Sequence, residues 1–183
     1  IDMAYYFIFP EYDTTLYSQP DRTKLNTGGD EILEIVKEKG TTNSLYYPSR
    51  VLIRFNNDDI KDTISDIVGH NLFNTKATCS LQLLSTEHKN LTENLNLEAY
   101  PLAESWFGGT GRYSNLPTSS NGSTWIYRDN DVSKTQWTTS STEETPVVDS
   151  YSSTSIHIKE VPTASFHELT INGVDIIPVI STS

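Results

Sequence analysis

The sequence predicts an all-β protein: an antiparallel, jelly-roll-like β-sandwich with one short helix and a C-terminal β-hairpin extension. Thr, Ser and Asn are abundant and Ala is scarce, a composition that favours strands and turns over helices. Residues 95–100 alternate between apolar and polar side chains, as a half-buried strand does. The stretch 106–113 then combines three glycines with large aromatic residues, which is typical of a loop that covers the end of a sandwich core.

Each further element has its own pattern in the chain. Residues 56–59 end a strand and cap a short helix, in which apolar residues from Ile60 onwards share one face. Residues 30–39 fit both a helical face capped by Asp30 and a strand buried on one side, so their pattern leaves both alternatives open. The predicted strands are 5–9, 13–17, 50–55, 77–84, 95–100 and 155–158.

Three regions are predicted along the chain: a β-sandwich module over 1–137, a Ser/Thr-rich loop or linker over 138–155, and C-terminal strands over 156–183. The last region contains a hairpin in which Asn172-Gly173 forms a type I′ turn. This tail is apolar enough to need burial, either by closing the sandwich or by docking on a neighbouring subunit. The residues predicted for such an assembly interface are Ile171, Val174, Ile176, Ile177, Val179 and Ile180.

Charge and composition exclude several classes of partner. The chain has 24 acidic and 13 basic residues, giving a net charge of −11, so it lacks the basic surface of a nucleic-acid-binding protein. It also lacks the Lys/Arg cluster that binds an anionic membrane and the roughly 20-residue apolar run of a membrane span. The single cysteine, Cys79, lies in a strand pattern and is interpreted as a buried, inert thiol.

No motif of a known catalytic chemistry is present. The four histidines, His70, His88, His157 and His167, lack zinc-site spacing, and there is no nucleophile elbow, phosphate loop or dinucleotide fingerprint. We therefore expect a non-enzymatic protein with no catalytic residues and no cofactor.

Two sets of residues are candidates for binding. Asp129 and Asp131 resemble the first ligands of a calcium loop, but Lys134 and Ser140 replace its glycine and bidentate glutamate, so only a looser Ca²⁺ site remains open. Exposed aromatic rings can stack on sugars, although large aromatic side chains are more often buried in cores and loops. The aromatic candidates are Trp106, Tyr113, Trp125, Tyr127 and Trp137.

The order of motifs from about residue 10 to 128 resembles the DNRLRE-type β-sandwich modules. D-T-T-L-Y is followed by N-T-G, E-I-L-E-I-V, R-V-L-I-R-F-N, A-T-C-S-L-Q-L and finally the S-W-F-G-G-T-G loop. The best-matched residues are Asn26, Gly28, Arg54, Phe55, Ser105, Trp106, Gly109 and Thr110. The resemblance implies two antiparallel sheets, a strand at 30–39, a structural arginine at Arg54, and a packing role for the loop around Trp106.

The segment from Gly109 to Asp129 looks like virion structural proteins of tailed phages, notably those of marine cyanobacteria. That likeness implies a virion component at the capsid surface, neck or tail, assembled in the host cytoplasm from copies of itself and other virion proteins. The alternative is a carbohydrate-binding β-sandwich module of an adhesive fibre or secreted protein, with a glycan as its partner.

Overall fold

The computed structural model describes residues 6–63, 65, 80–85, 95–99, 102, 104–114, 121–137, 154–158 and 167–172. Over these residues the protein is rich in strand and poor in helix, in agreement with the all-β prediction. The strands are β1 (Pro10–Tyr17), β2 (Lys37–Lys39), β3 (Tyr46–Phe55), β4 (Ser80–Ser85), β5 (Leu95–Ala99), β6 (Tyr127–Asp129), β7 (Thr135–Gln136), β8 (Thr154–Ile158) and β9 (His167–Asn172). The helix is α1 (Asn57–Asp62), and no helix in the described part of the chain has the length and apolarity to cross a membrane.

The chain divides into two compact units. Unit 1 comprises Ile1–Ile60 and Glu104–Val147, and unit 2 comprises Lys61–Ala103 and Val148–Ser183. In unit 2, β4 pairs antiparallel with β9, and β5 pairs antiparallel with β8. The C-terminal strands therefore pair with strands of their own chain, and the units differ from the predicted regions, whose boundaries fall at 137 and 155.

The sheet of unit 1 has the strand order β1-β3-β2, and its strands are antiparallel. The predicted strands at 13–17 and 50–55 are confirmed as parts of β1 and β3. Thr14 lies opposite Leu52, and Leu16 lies opposite Arg50, so these side chains share one face of the sheet. Thr15 and Tyr17 project from the other face. All four residues at 14–17 are buried, so unit 1 covers both faces of β1 at this end.

The predicted strand at 5–9 is wrong over its described residues, 6–9, which precede β1 without regular structure. In the register of the sheet, Pro10 already pairs with Phe55, the last residue of β3. The described residues before Pro10 therefore have no continuation of β3 to pair with, and Phe7 and Phe9 are exposed.

Residues 30–39 are not helical, and only β2, at 37–39, is a strand. The preceding backbone is held by side chains: Glu34 N–H donates to Thr15 Oγ1 (3.1 Å), and Val36 N–H donates to Ser49 Oγ (2.9 Å). Ser49 Oγ also donates to the Glu34 carbonyl oxygen (2.6 Å). One ladder bond continues beyond β2, from Ser49 N–H to the Val36 carbonyl oxygen (2.9 Å), while hydroxyl groups bond to Val36 N–H and to both backbone groups of Glu34.

The predicted short helix after β3 is confirmed as α1. Asn56 caps it, because its Oδ1 accepts a hydrogen bond from Asp58 N–H (2.8 Å) and its carbonyl accepts one from Ile60 N–H (3.2 Å). Asp58 and Asp59 lie in the first turn, where negative charge is favoured by the helix dipole.

Strands β6 and β7 form a hairpin whose turn contains an unusual backbone conformation. Lys134 has φ +45° and donates its N–H to the Asp131 carbonyl oxygen (3.1 Å). Glycine is the residue that normally takes this left-handed conformation, so lysine is strained here.

The buried side chains described in unit 1 are largely polar. Four of them are apolar or aromatic: Leu16, Tyr17, Trp106 and Trp137. Seven are polar: Thr14, Thr15, Asn26, Thr27, Ser123, Thr124 and Asn130. Buried polar groups are costly unless they are hydrogen-bonded, so the packing of this unit depends on a specific bonding network.

Candidate binding surfaces around an asparagine-centred loop core

The carboxamide of Asn26 joins three loops of unit 1. Its Nδ2 donates to the carbonyl oxygens of Gly108 (2.7 Å) and Ser123 (2.8 Å). Its Oδ1 accepts from the N–H groups of Gly111 (2.9 Å) and Gly28 (3.2 Å). The side chain is fully buried, and both donors and both acceptor positions are used. This one amide therefore fixes the loops that carry the aromatic candidates.

Two glycines permit the close packing around this amide. A Cβ atom at Gly28 would clash with the carbonyl oxygen of Gly108, and a Cβ atom at Gly109 would clash with the carboxamide of Asn26. Gly109 also has φ +80°, a conformation that side-chain-bearing residues rarely adopt. The glycines of the predicted loop are thus required by backbone contact as well as by turn geometry.

Thr27 attaches the same loop to the sheet. Its Oγ1 accepts from Thr15 N–H (3.0 Å) and donates to the Thr15 carbonyl oxygen (2.9 Å). One buried hydroxyl therefore satisfies both backbone groups of Thr15 in β1, as a neighbouring strand would.

Trp106 and Trp137, two of the predicted sugar-stacking residues, are buried in unit 1, with 8% and 4% of their surface exposed. The Trp106 ring packs edge-to-face on Tyr12, with centroids 4.8 Å apart, and Trp137 Nε1 donates to the Thr124 carbonyl oxygen (2.9 Å). Rings in these positions present no free face to a ligand. Their contacts are those of packing residues, the role that the resemblance implied for the loop around Trp106.

The other three aromatic candidates are accessible to different degrees. Trp125 is half-buried, and the guanidinium carbon of Arg50 lies 5.2 Å from its ring centroid. Tyr127 is also half-buried and begins β6. Tyr113 is exposed at 36%. Sugar binding by these three side chains stays a prediction.

Tyr113 belongs to a cluster that sequence reasoning missed. Its ring lies 5.3 Å from that of Tyr17 and 4.8 Å from the Arg22 guanidinium carbon, and Arg22 Nη1 donates to both carboxylate oxygens of Glu38 (3.1 Å each). Tyr17 donates its hydroxyl to Glu34 Oε2 (2.6 Å). Burial, reinforced by this hydrogen bond, raises the pKa of Tyr17 far above its ordinary value. The available signal was the spacing of Glu34 and Glu38: in an extended segment, residues an even number of positions apart lie on the same face.

The calcium candidates lie in the β6–β7 hairpin. Asp129 Oδ1 accepts from Asp131 N–H (3.0 Å), which forms a local turn. Within the described ranges, no group of three or more His, Cys, Asp or Glu side chains is arranged to hold a metal ion. Ca²⁺ binding by this pair stays a prediction.

The predicted assembly residues lie mostly outside the described residues. Ile171 belongs to β9, where it pairs with Leu81 of β4. The other five predicted assembly residues lie outside the described residues: Val174, Ile176, Ile177, Val179 and Ile180. The single cysteine, Cys79, and two of the histidines, His70 and His88, also lie outside them.

Comparison of the chain with known proteins finds no matching family model, no matching curated protein and no matching solved structure.

Proposed function

We propose that this chain is a non-enzymatic structural component of a tailed-phage particle, at the capsid surface, neck or tail. It is assembled in the host cytoplasm and acts through contacts with other virion proteins and with copies of itself. The jelly-roll-like sandwich implied by the sequence motifs belongs to the same proposal. Neither nucleic acid nor a membrane is a partner, and no cofactor takes part.

The observation that carries this proposal is the number of large apolar side chains exposed on unit 1. Phe7 and Phe9 are 69% and 79% exposed and lie two residues apart in the segment before β1. Ile32, Ile35, Leu45 and Tyr46 are exposed on the segments around β2. Exposed apolar side chains grouped along the chain in this way are typical of a protein–protein contact. Phe107, which is 57% exposed, also lies on a loop that the network around Asn26 holds in one geometry.

The test is the copy number of this chain in purified particles, measured by quantitative mass spectrometry with isotope-labelled peptides. A fixed number supports a structural subunit, and its size indicates the symmetry of the location. Absence from particles would overturn the proposal. Truncation at residue 155 is a poor substitute, because it removes most of β8 and all of β9, the partners of β5 and β4.

Carbohydrate binding is the second candidate, and the accessibility of Tyr113 and Trp125 favours it. Rings of this kind offer an apolar face to the C–H surface of a sugar. Glycan-array binding by the wild type, lost in Tyr113→Ala or Trp125→Ala while both variants keep their circular dichroism spectrum, would support it. Trp137→Ala is not informative in this assay, because its ring is buried and its loss destabilises the fold.

A further inference from the structure

The exposed face of the β2–β3 hairpin carries lysines and apolar side chains together. In the antiparallel register Lys37 lies opposite Pro48, and Lys39 lies opposite Tyr46, so these four side chains project from one face. The contact of Lys37 Nζ with the Tyr46 ring, 5.2 Å from its centroid, agrees with this arrangement. We call the exposed residues Ile35, Lys37, Lys39, Tyr46 and Pro48 the lysine patch.

The acidic and basic side chains of residues 34–39 lie on opposite faces of the hairpin. Glu34 and Glu38 project from the other face, where they bond to Tyr17 and Arg22 respectively. Lys37 and Lys39 therefore lie together on a face that carries no acidic residue of β2, on a chain whose net charge is −11.

Apolar surface surrounds these two charges. Ile35 and Tyr46 are each more than half exposed, and Pro48 is exposed between them on the β3 side. Arg50, two residues after Pro48 on the same face of β3, stacks on Trp125 and extends the patch towards the 121–137 loop. Aromatic residues and arginine are enriched in protein–protein contacts, so Tyr46 and Arg50 suit such a contact, and the two lysines give it a charge that selects its partner.

We infer that the lysine patch docks on an acidic surface of a second copy of this chain. The inference rests on the proposed function, which requires copies of the chain to contact one another. Charge complementarity selects the occupant: acidic residues outnumber basic ones by 24 to 13, so a second copy presents mainly acidic surface.

Charge also determines the symmetry of this contact. Two patches facing each other about a two-fold axis would bring lysines against lysines, which is repulsive. The patch of one copy must therefore meet a different surface on the next copy. We place that acidic surface away from the patch, so that two copies cannot make both contacts with each other, and such a head-to-tail contact builds a closed ring or an open filament.

Sedimentation velocity of the purified chain tests this inference. We expect species larger than dimers at about 0.15 M salt, where the screening length is about 8 Å and the overall repulsion between acidic copies is weakened. Lys37→Glu/Lys39→Glu should weaken association by about tenfold or more, since it reverses both charges of the contact. The control Lys24→Glu/Lys61→Glu makes the same change in net charge at exposed positions outside the patch and should assemble as the wild type does.

Mixing provides a second readout that is specific to head-to-tail contact. A Lys37→Glu/Lys39→Glu copy keeps its acidic surface, so it can bind one end of a wild-type oligomer but cannot extend it. Its addition should shift wild-type oligomers to smaller sizes, whereas the control should not. A monomeric wild type, or equal loss of association in both double variants, would overturn the inference. The proposed function would then still be decided by the copy number in particles.

Discussion

Replacing Asn26 with alanine removes the side chain that connects the 26–29, 105–114 and 121–130 segments. Four backbone groups lose their partner: the carbonyl oxygens at 2.7 and 2.8 Å and the N–H groups at 2.9 and 3.2 Å. A buried polar group left without a partner costs about 1–3 kcal/mol. Water that enters the vacated space bonds to some of these groups and lowers the cost. We therefore expect the free energy of unfolding to fall by about 3–6 kcal/mol.

The loss is large relative to the total stability of a domain, which is about 5–15 kcal/mol. Urea denaturation followed by tryptophan fluorescence measures it directly. All three tryptophans, at 106, 125 and 137, lie in unit 1, so the signal reports on the unit that contains Asn26.

Asn43→Ala is the matched control for this experiment. Asn43 also uses both ends of its carboxamide, towards the Tyr47 hydroxyl (2.9 Å) and Leu45 N–H (3.3 Å), but it is exposed to solvent. Water can replace both bonds there, so the loss should stay below about 1 kcal/mol. Equal losses in the two variants, or a loss below about 1 kcal/mol for Asn26→Ala, would refute the role assigned to the buried amide.

Three further changes test separate features of unit 1. Tyr17 keeps its proton in the folded state above its unfolded pKa of about 10, so the free energy of unfolding should fall as the pH rises past 10, by up to about 1.4 kcal/mol per pH unit. Tyr17→Phe should make this fall less steep, by an amount that corresponds to about one proton released on unfolding. Unfolding titrations from pH 9 to 11 measure the difference. Lys134→Gly should raise the free energy of unfolding by about 0.5–1 kcal/mol, because relief of the left-handed backbone exceeds the entropy cost of glycine, whereas Lys134→Ala should give no gain. Burial raises the pKa of Asp13, so its charged form is disfavoured in the folded protein. Asp13→Asn removes this charge and should increase the melting temperature at pH 7. The gain should shrink as the pH falls towards 4, because the wild-type carboxylate then becomes protonated.

Local patterns predicted the elements whose own residues carry a strong signal. The β-branched and aliphatic run at 50–55 forms β3, and Asn56 caps α1 as its position before two aspartates indicated. The aromatic run at 5–9 has equal strand propensity, yet 6–9 are not a strand. Propensity describes a residue's fit to a sheet, while pairing depends on where the partner strand ends.

The role of Asn26 could not be derived from any periodic pattern. Its bonds to Gly108 and Ser123 span 82 and 97 residues of sequence. The sequence marked Asn26 and Gly109 only through the resemblance of their motifs, which says nothing about which atoms meet. The lysine patch was missed for a different reason: it combines Lys37 and Lys39 with Pro48 and Tyr46 of the paired strand, and this register does not follow from the sequence pattern of either strand.

A core held by hydrogen bonds bears on the assembly role that we propose for unit 1. Asn26 and Thr27 bond to backbone groups with directional geometry, so the loops they hold have few alternative packings of similar energy. The lysine patch adjoins the 121–130 segment through the contact of Arg50 with Trp125, so a rigid segment there reduces the conformational entropy lost on association, which is a main cost of forming a contact. A rigid surface also repeats the same angle from copy to copy, which a ring with head-to-tail contacts requires in order to close.

The polar core, the charge-segregated hairpin and an assembly role are thus mutually consistent, and weakening the core should loosen assembly before it abolishes folding. Ser123→Ala tests this, because it removes a hydroxyl that lies 2.7 Å from the Phe107 carbonyl oxygen and 2.8 Å from that of Arg128 and donates its one hydrogen between them. We expect a folded chain whose oligomers have a broader size distribution in sedimentation velocity than those of the wild type. An unchanged distribution in a measurably destabilised variant would separate core rigidity from assembly.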